Sequence, residues 1–216
     1  MNHASRFRLW IKRPRVLVVA GTILGISVVA VVLTAGASRR TEMDRLAQLL
    51  ELHDGMAVAE IGAGVGWLTV DVARRVGLSG RVYSTELNRA RLDDIRKAVA
   101  EAGLTNVTAI EAGERTTHLP HLCCDAIFMR RVYHHFGDPS GITHSIREAL
   151  VPGGRLVVIE FDAGGLIGKL TRMGISQTQL VDQVTATGFE VVTTQEWPGL
   201  GHYVTVFEKE LEDPTR

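Results

Sequence analysis

A glycine-rich turn at residues 60–67, with the sequence EIGAGVGW, is the part of this chain best suited to bind a ligand. Gly62, Gly64 and Gly66 permit positive φ angles and leave the backbone open, because no Cβ blocks a bound molecule. A dinucleotide-binding turn of the pattern G-x-G-x-x-G would need a third glycine at position 67, where the chain has Trp67. The sequence also lacks the Lys-Ser/Thr pair of a P-loop, so we do not expect a pyrophosphate site.

Two acidic residues flank this turn. Glu60 directly precedes it, and a carboxylate there repels phosphate but suits an ammonium or sulfonium centre. Glu86 ends the next predicted strand, where a carboxylate accepts hydrogen bonds from ribose hydroxyls; the alternative for Glu86 is a surface charge at a strand end. A nucleoside with a positively charged amino-acid tail satisfies both acids. We therefore predict S-adenosylmethionine as the cofactor.

Short apolar runs alternate with helical segments along most of the chain, which indicates βαβ units and a parallel sheet with helices on both faces. The predicted strands cover residues 57–61, 81–86, 107–111, 125–129, 155–161, 190–194 and 202–208. The predicted helices cover residues 41–53, 67–76, 88–102, 139–150 and 177–187. The last two strands lack a helix between them. We therefore expect a Rossmann-like, doubly wound α/β fold whose seven-stranded, mostly parallel sheet has an antiparallel edge strand.

Five motifs follow one another between about residues 45 and 208: VAEIGAGVGW, GRVYSTEL, NVTAIEAGERTTHLP, CCDAIFMRRVYHHF and LVPGGRLVVIEF. In this order they resemble the motifs of class I S-adenosylmethionine-dependent methyltransferases. The likeness is greatest to the methyltransferase-11 and ubiquinone/menaquinone-methyltransferase-like groups. The resemblance implies an enzyme that transfers a methyl group from S-adenosylmethionine.

The resemblance also implies roles for residues at the cofactor site. Glu60 and the turn at residues 62–66, which includes Ala63, would hold the methionine part. Glu86 would bind the ribose hydroxyls, and Leu87 would pack against the adenine. In the third motif, Gly113 and Glu114 stand where the family usually has an Asp that contacts the adenine amino group.

Residues after the fourth predicted strand would face the methyl acceptor. Arg130 and Arg131 would meet the substrate or the cofactor carboxylate, although relatives often carry an acidic or small residue here. His134 and His135 are candidate general bases because imidazole accepts a proton near neutral pH, and Tyr133 is a similar candidate. The alternative is that these residues only shape the loop, since methyl transfer from a sulfonium can depend chiefly on positioning.

The first 40 residues differ from the rest. Residues 1–15 contain five basic residues and no acidic one, and residues 16–38 carry no charge. About 22 helical residues span roughly 33 Å, which matches a hydrocarbon core of about 30 Å. We predict a transmembrane helix at 16–38, with a cleaved signal sequence as the alternative. A linker and amphipathic helix at 39–53, the catalytic domain at 54–210 and a tail at 211–216 would follow.

The membrane segment bears on localisation. The basic residues before it favour a cytoplasmic N-terminus, which would place the body of the protein outside. S-adenosylmethionine is made in the cytosol, so we expect a single-pass membrane protein whose catalytic domain is cytoplasmic despite this charge bias. A non-catalytic, membrane-tethered nucleoside-binding module is the alternative.

Charge and composition restrict the partners. The chain has 216 residues and equal numbers of basic and acidic residues, 24 each, so the part beyond the basic first 15 residues is acidic. Such a surface is a poor match for a phosphate backbone, and we expect no nucleic-acid substrate. We expect a small-molecule or lipophilic methyl acceptor, or alternatively a protein carboxyl group of the isoaspartyl kind. The adjacent Cys123 and Cys124 are interpreted as small residues at the start of a strand, with a redox or thiophilic role as the alternative, and we expect no metal site.

Overall fold

The computed structural model describes residues 39–171, 173–198 and 201–211. The chain divides into two units, Met1–Glu42 and Met43–Arg216. The described part of the first unit, residues 39–42, is helical, and the second unit contains the sheet. Among the described residues, no helix has the length and apolar composition needed to cross a bilayer. The span predicted at 16–38 lies outside these residues.

Seven strands form one sheet in the order β3-β2-β1-β4-β5-β7-β6. The strands are β1 (Ala57–Ile61), β2 (Arg81–Glu86), β3 (Val107–Glu111), β4 (Cys124–Arg130), β5 (Leu150–Phe161), β6 (Phe189–Trp197) and β7 (His202–Lys209). The first five strands pair in parallel, and β7 pairs antiparallel with both β5 and β6. This mixed sheet confirms the predicted Rossmann-like fold.

The position of the antiparallel strand differs from the prediction. We expected it at the edge, but β6 occupies the edge and β7 lies between β5 and β6. The backbone of β7 therefore finds hydrogen-bonding partners on both sides, which an edge strand lacks. The predicted antiparallel pair of the last two strands at the edge of the sheet is confirmed; within this pair, the strand that runs against the parallel strands is the inner one, β7.

Six helices and a short 3₁₀ turn flank the described strands: α1 (39–50), α2 (Trp67–Arg75), α3 (Arg89–Glu101), α4 (Pro139–Ala149), α5 (Leu166–Thr171), α6 (Gln177–Thr185) and the turn Tyr133–His135. Side chains cap three of the helices. Asn88 accepts hydrogen bonds from two backbone N–H groups of α3, and Asp138 and Ser176 each accept one at the start of α4 and α6. The sequence did not predict α5, because six residues are too few for a helical period to show.

The central strands are buried on both faces. In β4, Ile127 joins the cluster of apolar side chains on one face, and Phe128 joins the cluster on the other. In β5, Val157 and Val158 divide between the two faces in the same way. This alternation follows from the two-residue period of a strand, and burial on both faces is typical of parallel sheets.

The start of β4 contains a feature that the sequence did not predict. Cys123 and Cys124 are joined by a disulfide between adjacent residues, rather than serving only as small side chains. The Cα atoms of these neighbouring residues lie 3.8 Å apart, so the two sulfur atoms can reach each other. The disulfide lies at the amino end of β4, whereas Arg130 lies at the carboxyl end of the same strand.

Candidate active site

The glycine-rich turn connects β1 to α2. Its φ angles are 68° at Gly62 and 60° at Gly64, in the left-handed region that favours glycine. A Cβ at Gly62 would lie 2.6 Å from Cγ2 of Val132, so a larger residue does not fit there. A Cβ at Gly64 would meet no atom within 4 Å, because this residue borders open space. The turn thus presents bare backbone to a ligand.

Glu86, at the end of β2, connects that strand to the turn. Its Oε2 accepts a hydrogen bond of 2.9 Å from the backbone N–H of Gly64. Its Oε1 accepts bonds of 3.0 Å from the backbone N–H groups of Leu87 and Asn88. A carboxylate has about four acceptor positions, so these three bonds leave capacity for a further donor such as a ribose hydroxyl.

Glu60 is buried in β1, with 4% of its surface exposed. Its Oε2 accepts a hydrogen bond of 2.5 Å from the hydroxyl of Thr69. Burial raises the pKa of Glu60 to about 8; Thr69 and Arg130 oppose the shift, and Glu86 adds to it. The carboxyl group is therefore mostly protonated at neutral pH, and a cation placed beside it would favour the ionised form.

These side chains line a cavity of about 1110 Å³ at the carboxyl ends of the parallel strands. The volume exceeds the roughly 300–1,000 Å³ typical of a single small-molecule site. Most of the residues predicted for the cofactor site line it: Glu60, Gly62, Ala63, Gly64, Glu86, Leu87, Gly113, Glu114 and Arg130. Gly66 is not part of the lining and packs against α3, where a Cβ would lie 3.2 Å from Cα of Ile95.

Two arginines line the cavity beyond the end of β4. The guanidinium carbon of Arg130 lies 5.6 Å from the ring centre of Trp67, and that of Arg131 lies 5.6 Å from the ring centre of Phe161. Both distances fall within the range of cation–π contacts. Arg131 also has a φ of 56°, which is uncommon for a residue with a side chain.

The three candidate general bases occupy different environments in the 3₁₀ turn. His135 lines the cavity and is exposed. Tyr133 is 1% exposed and packs in the core against Phe136, outside the cavity lining. His134 also lies outside the lining, with its Nδ1 2.8 Å from Oε2 of the buried Glu160. Of the three, only His135 is placed to touch a ligand in this cavity.

A comparison with protein families identifies the chain. A family model described as "Methyltransferase domain" matches residues 52–209, which is most of the chain. The chain belongs to this methyltransferase family. It is an enzyme that uses S-adenosylmethionine, as the glycine-rich turn and the two acids predicted.

Curated relatives of this methyltransferase include ubiquinone/menaquinone biosynthesis C-methyltransferases named UbiE. The protein from a Marinomonas strain is 33% identical over 108 residues, covering 50% of this chain and 43% of the relative. The protein from Vibrio cholerae O395 is 30% identical over 108 residues, covering 50% of this chain and 42% of the relative. The match thus spans less than half the length of these relatives.

Solved structures share the fold of this methyltransferase. A SAM-dependent methyltransferase from Aquifex aeolicus has a TM-score of 0.69 and 20% identity, covering 77% of this chain and 89% of that one. The [4+2]-cyclase SpnF also has a TM-score of 0.69, with 18% identity and coverage of 82% of each chain. At these identities the likeness establishes the fold alone.

The methyltransferase site contains residues that the motif analysis did not single out. Thr69 holds Glu60 from α2, Glu160 holds His134 from the end of β5, and Phe161 packs under Arg131. Glu160 and Phe161 stand at the carboxyl end of a strand, where ligands of this fold bind. Their position at the end of a predicted strand could have identified both residues from the sequence.

Proposed function

We propose that this methyltransferase acts on a small or lipophilic acceptor that binds in the same cavity as S-adenosylmethionine. The observation that carries the proposal is the composition of the cavity lining. The glycine-rich turn and Glu86 line it, and we assign them to a donor part; Arg131, His135 and Phe161 also line it, and we assign them to an acceptor part. Two ligands, a methyl donor and an acceptor, fit this division of the lining.

The donor part of the cavity fits S-adenosylmethionine, which supplies an electrophilic methyl group on its sulfonium. Gly64 offers open backbone, and the remaining acceptor capacity of Glu86 suits the ribose hydroxyls. Glu60 would ionise beside the ammonium group, and Arg130 would meet the carboxylate. Leu87 is 56% exposed and lines the cavity, so it offers an apolar surface for the adenine.

In the acceptor part, His135 would receive the proton that the acceptor loses as the methyl group is added. Its imidazole lies 4.0 Å, centroid to centroid, from that of His134. His134 is in turn held by Glu160. This arrangement gives His135 a fixed neighbour on one side and leaves its other side open to the cavity. Tyr133 has no part in the proposal, because it lies in the core.

The relatives and the predicted membrane span support one class of acceptor. The UbiE proteins are named for methylation at carbon in the biosynthesis of ubiquinone and menaquinone. A transmembrane helix at 16–38 would hold the catalytic domain next to lipid-soluble acceptors of this kind. We therefore propose C-methylation of a quinol-like molecule by a membrane-anchored enzyme with a cytoplasmic catalytic domain.

Methyl transfer to candidate acceptors tests this proposal. The full chain in detergent is incubated with methyl-labelled S-adenosylmethionine and either a demethylated isoprenoid quinol or an isoaspartyl peptide. Label in the quinol supports the proposal, and label in the peptide alone contradicts it. Replacing His135 by Ala should lower kcat by about 100-fold or more, the usual contribution of a general base. His144→Ala, at an exposed position on α4, is the matched control.

Topology needs a separate experiment. A reporter enzyme that is active only in the cytoplasm is fused after residue 211 of the full chain. Reporter activity, together with recovery of the fusion in the membrane fraction, supports a cytoplasmic catalytic domain on a membrane anchor. Recovery in the soluble fraction, or an inactive reporter, contradicts this part of the proposal.

A further inference from the structure

Arg131 has a backbone conformation that is typical of glycine. Its φ of 56° lies in the left-handed region, which is unfavourable for a residue with a Cβ. The backbone is held there by a hydrogen bond of 2.7 Å from the N–H of Arg131 to the carbonyl oxygen of Ile159 on β5. Strain of this kind often marks a functional position, because glycine would satisfy the backbone alone.

The guanidinium of Arg131 is positioned but has no acidic partner. It lies over the ring of Phe161, at 5.6 Å from the ring centre, and it lines the cavity. Among the described residues, its side chain forms neither a salt bridge nor a hydrogen bond. A cation–π contact of this kind uses no hydrogen bond, so the N–H groups of the guanidinium stay available as donors. These donors suit a carboxylate or another planar oxyanion.

The other charged residues of the cavity have contacts of their own or lie at its exposed rim; Arg130 lies over the ring of Trp67, and the buried Glu60 accepts a hydrogen bond from Thr69. Asp138 pairs with Arg115 at 2.8 Å, and Glu86 accepts three backbone hydrogen bonds. Arg91 and Glu114 line the cavity but are exposed to solvent. Arg131 is half-buried, so its charge is less screened than theirs.

We propose that Arg131 binds a planar oxyanion of the methyl acceptor, so that the acceptor is a molecule with a carboxylate or a phenolate on an aromatic or conjugated group. Phe161 and His135 then flank the planar part of the acceptor, and Arg131 determines its orientation. This inference rests on the proposed function in that the acceptor must enter the cavity described above.

Binding of simple probes tests the inference without any methyl transfer. The full chain is saturated with S-adenosylhomocysteine, which occupies the donor part of the cavity, and is then titrated with benzoate and with 4-nitrophenolate. Benzamide and 4-nitroaniline serve as neutral partners of the same shape. We expect at least one anion to bind about tenfold or more tightly than its neutral partner, since hydrogen bonds to charged groups are the stronger ones. The anion that binds distinguishes a carboxylate from a phenolate acceptor.

Substitutions at Arg131 and Arg91 test whether Arg131 causes the preference for anionic probes. Arg131→Gln should abolish the difference between anion and neutral probe, whereas Arg131→Lys should keep part of it. Arg91→Gln, at an exposed position of the same cavity, should leave it unchanged, and S-adenosylhomocysteine affinity should be the same in all three variants. Equal anion binding by Arg131→Gln and the unchanged chain would overturn the inference. The acceptor assay described above reports separately on the proposed function.

Discussion

The imidazole Nδ1 of His134 lies 2.8 Å from Oε2 of Glu160, and the two side chains are 6% and 0% exposed. This pair connects the turn after β4 to the end of β5, directly behind the acceptor part of the cavity. The same carboxylate also accepts a hydrogen bond of 3.1 Å from the backbone N–H of Phe161. Glu160 therefore holds both His134 and the last residue of β5.

Removal of Glu160 should destabilise the fold strongly. Glu160→Ala leaves the imidazole of His134 without its buried hydrogen-bond partner, at a cost of roughly 1–3 kcal/mol in the free energy of unfolding. Glu160→Gln should cost less, because the amide oxygen still accepts a hydrogen bond. Urea unfolding measures both values. Glu190→Ala, at an exposed position on β6, should change stability by only about 0.5 kcal/mol; similar losses for Glu160→Ala and Glu190→Ala would contradict a structural role for the pair.

Stability should fall with rising pH because of Glu60. Its pKa is about 8 in the fold and 4.5 in the reference state, so between these values the folded chain holds a proton that the unfolded chain has lost. The free energy of unfolding should then decrease from about pH 4.5 to about pH 8, by at most about 1.4 kcal/mol per pH unit for one proton. Glu60→Gln should remove this contribution. Urea unfolding at several pH values compares the two proteins, and identical slopes would show that Glu60 does not titrate in this range.

The carboxylate of Glu86 should contribute to cofactor affinity. Glu86→Ala removes the acceptor proposed for the ribose hydroxyls and releases the backbone of Gly64. We expect the affinity for S-adenosylhomocysteine to weaken by roughly 1–3 kcal/mol, measured by isothermal titration calorimetry. Glu111→Ala is the control, because this residue ends the neighbouring strand β3 and pairs with Arg89. Unchanged affinity in Glu86→Ala would remove Glu86 from the site.

Glycine at position 131 should stabilise the fold more than alanine does. Arg131→Gly relieves the positive φ, whereas Arg131→Ala keeps it, so the glycine variant should unfold with a free energy about 1–2 kcal/mol higher. The same pair of substitutions at Arg91, within α3, should give the opposite order, since alanine favours helix by about 1 kcal/mol. Thermal or urea unfolding of the four variants shows whether the glycine or the alanine variant is more stable at each position. A more stable alanine variant at position 131 would show that the backbone there is not strained.

Local sequence patterns predicted the donor part of the site. Glu60, Gly62 and Gly64 lie within five residues, and Glu86 ends a strand whose apolar pattern is clear, so strand ends and turn residues were sufficient to place them. The acceptor part depends on contacts between distant segments. The pair His134–Glu160 joins residues 26 apart in the chain, and nothing in either local pattern indicates it. The left-handed φ of Arg131 was hidden for the same reason, because a hydrogen bond from another strand imposes it.

The strand order places a constraint on how the polypeptide assembles. β6 precedes β7 in the chain, yet within the described sheet β6 contacts only β7, which separates it from β5. During synthesis β6 therefore emerges before the strand that connects it to the rest of the sheet exists. Once β7 has been made, it can pair with β6 as a hairpin, and this hairpin then docks on β5 through β7. Docking of this hairpin, rather than formation of the nucleotide-binding half, is the step in which we expect the nascent chain to be most exposed to misassembly.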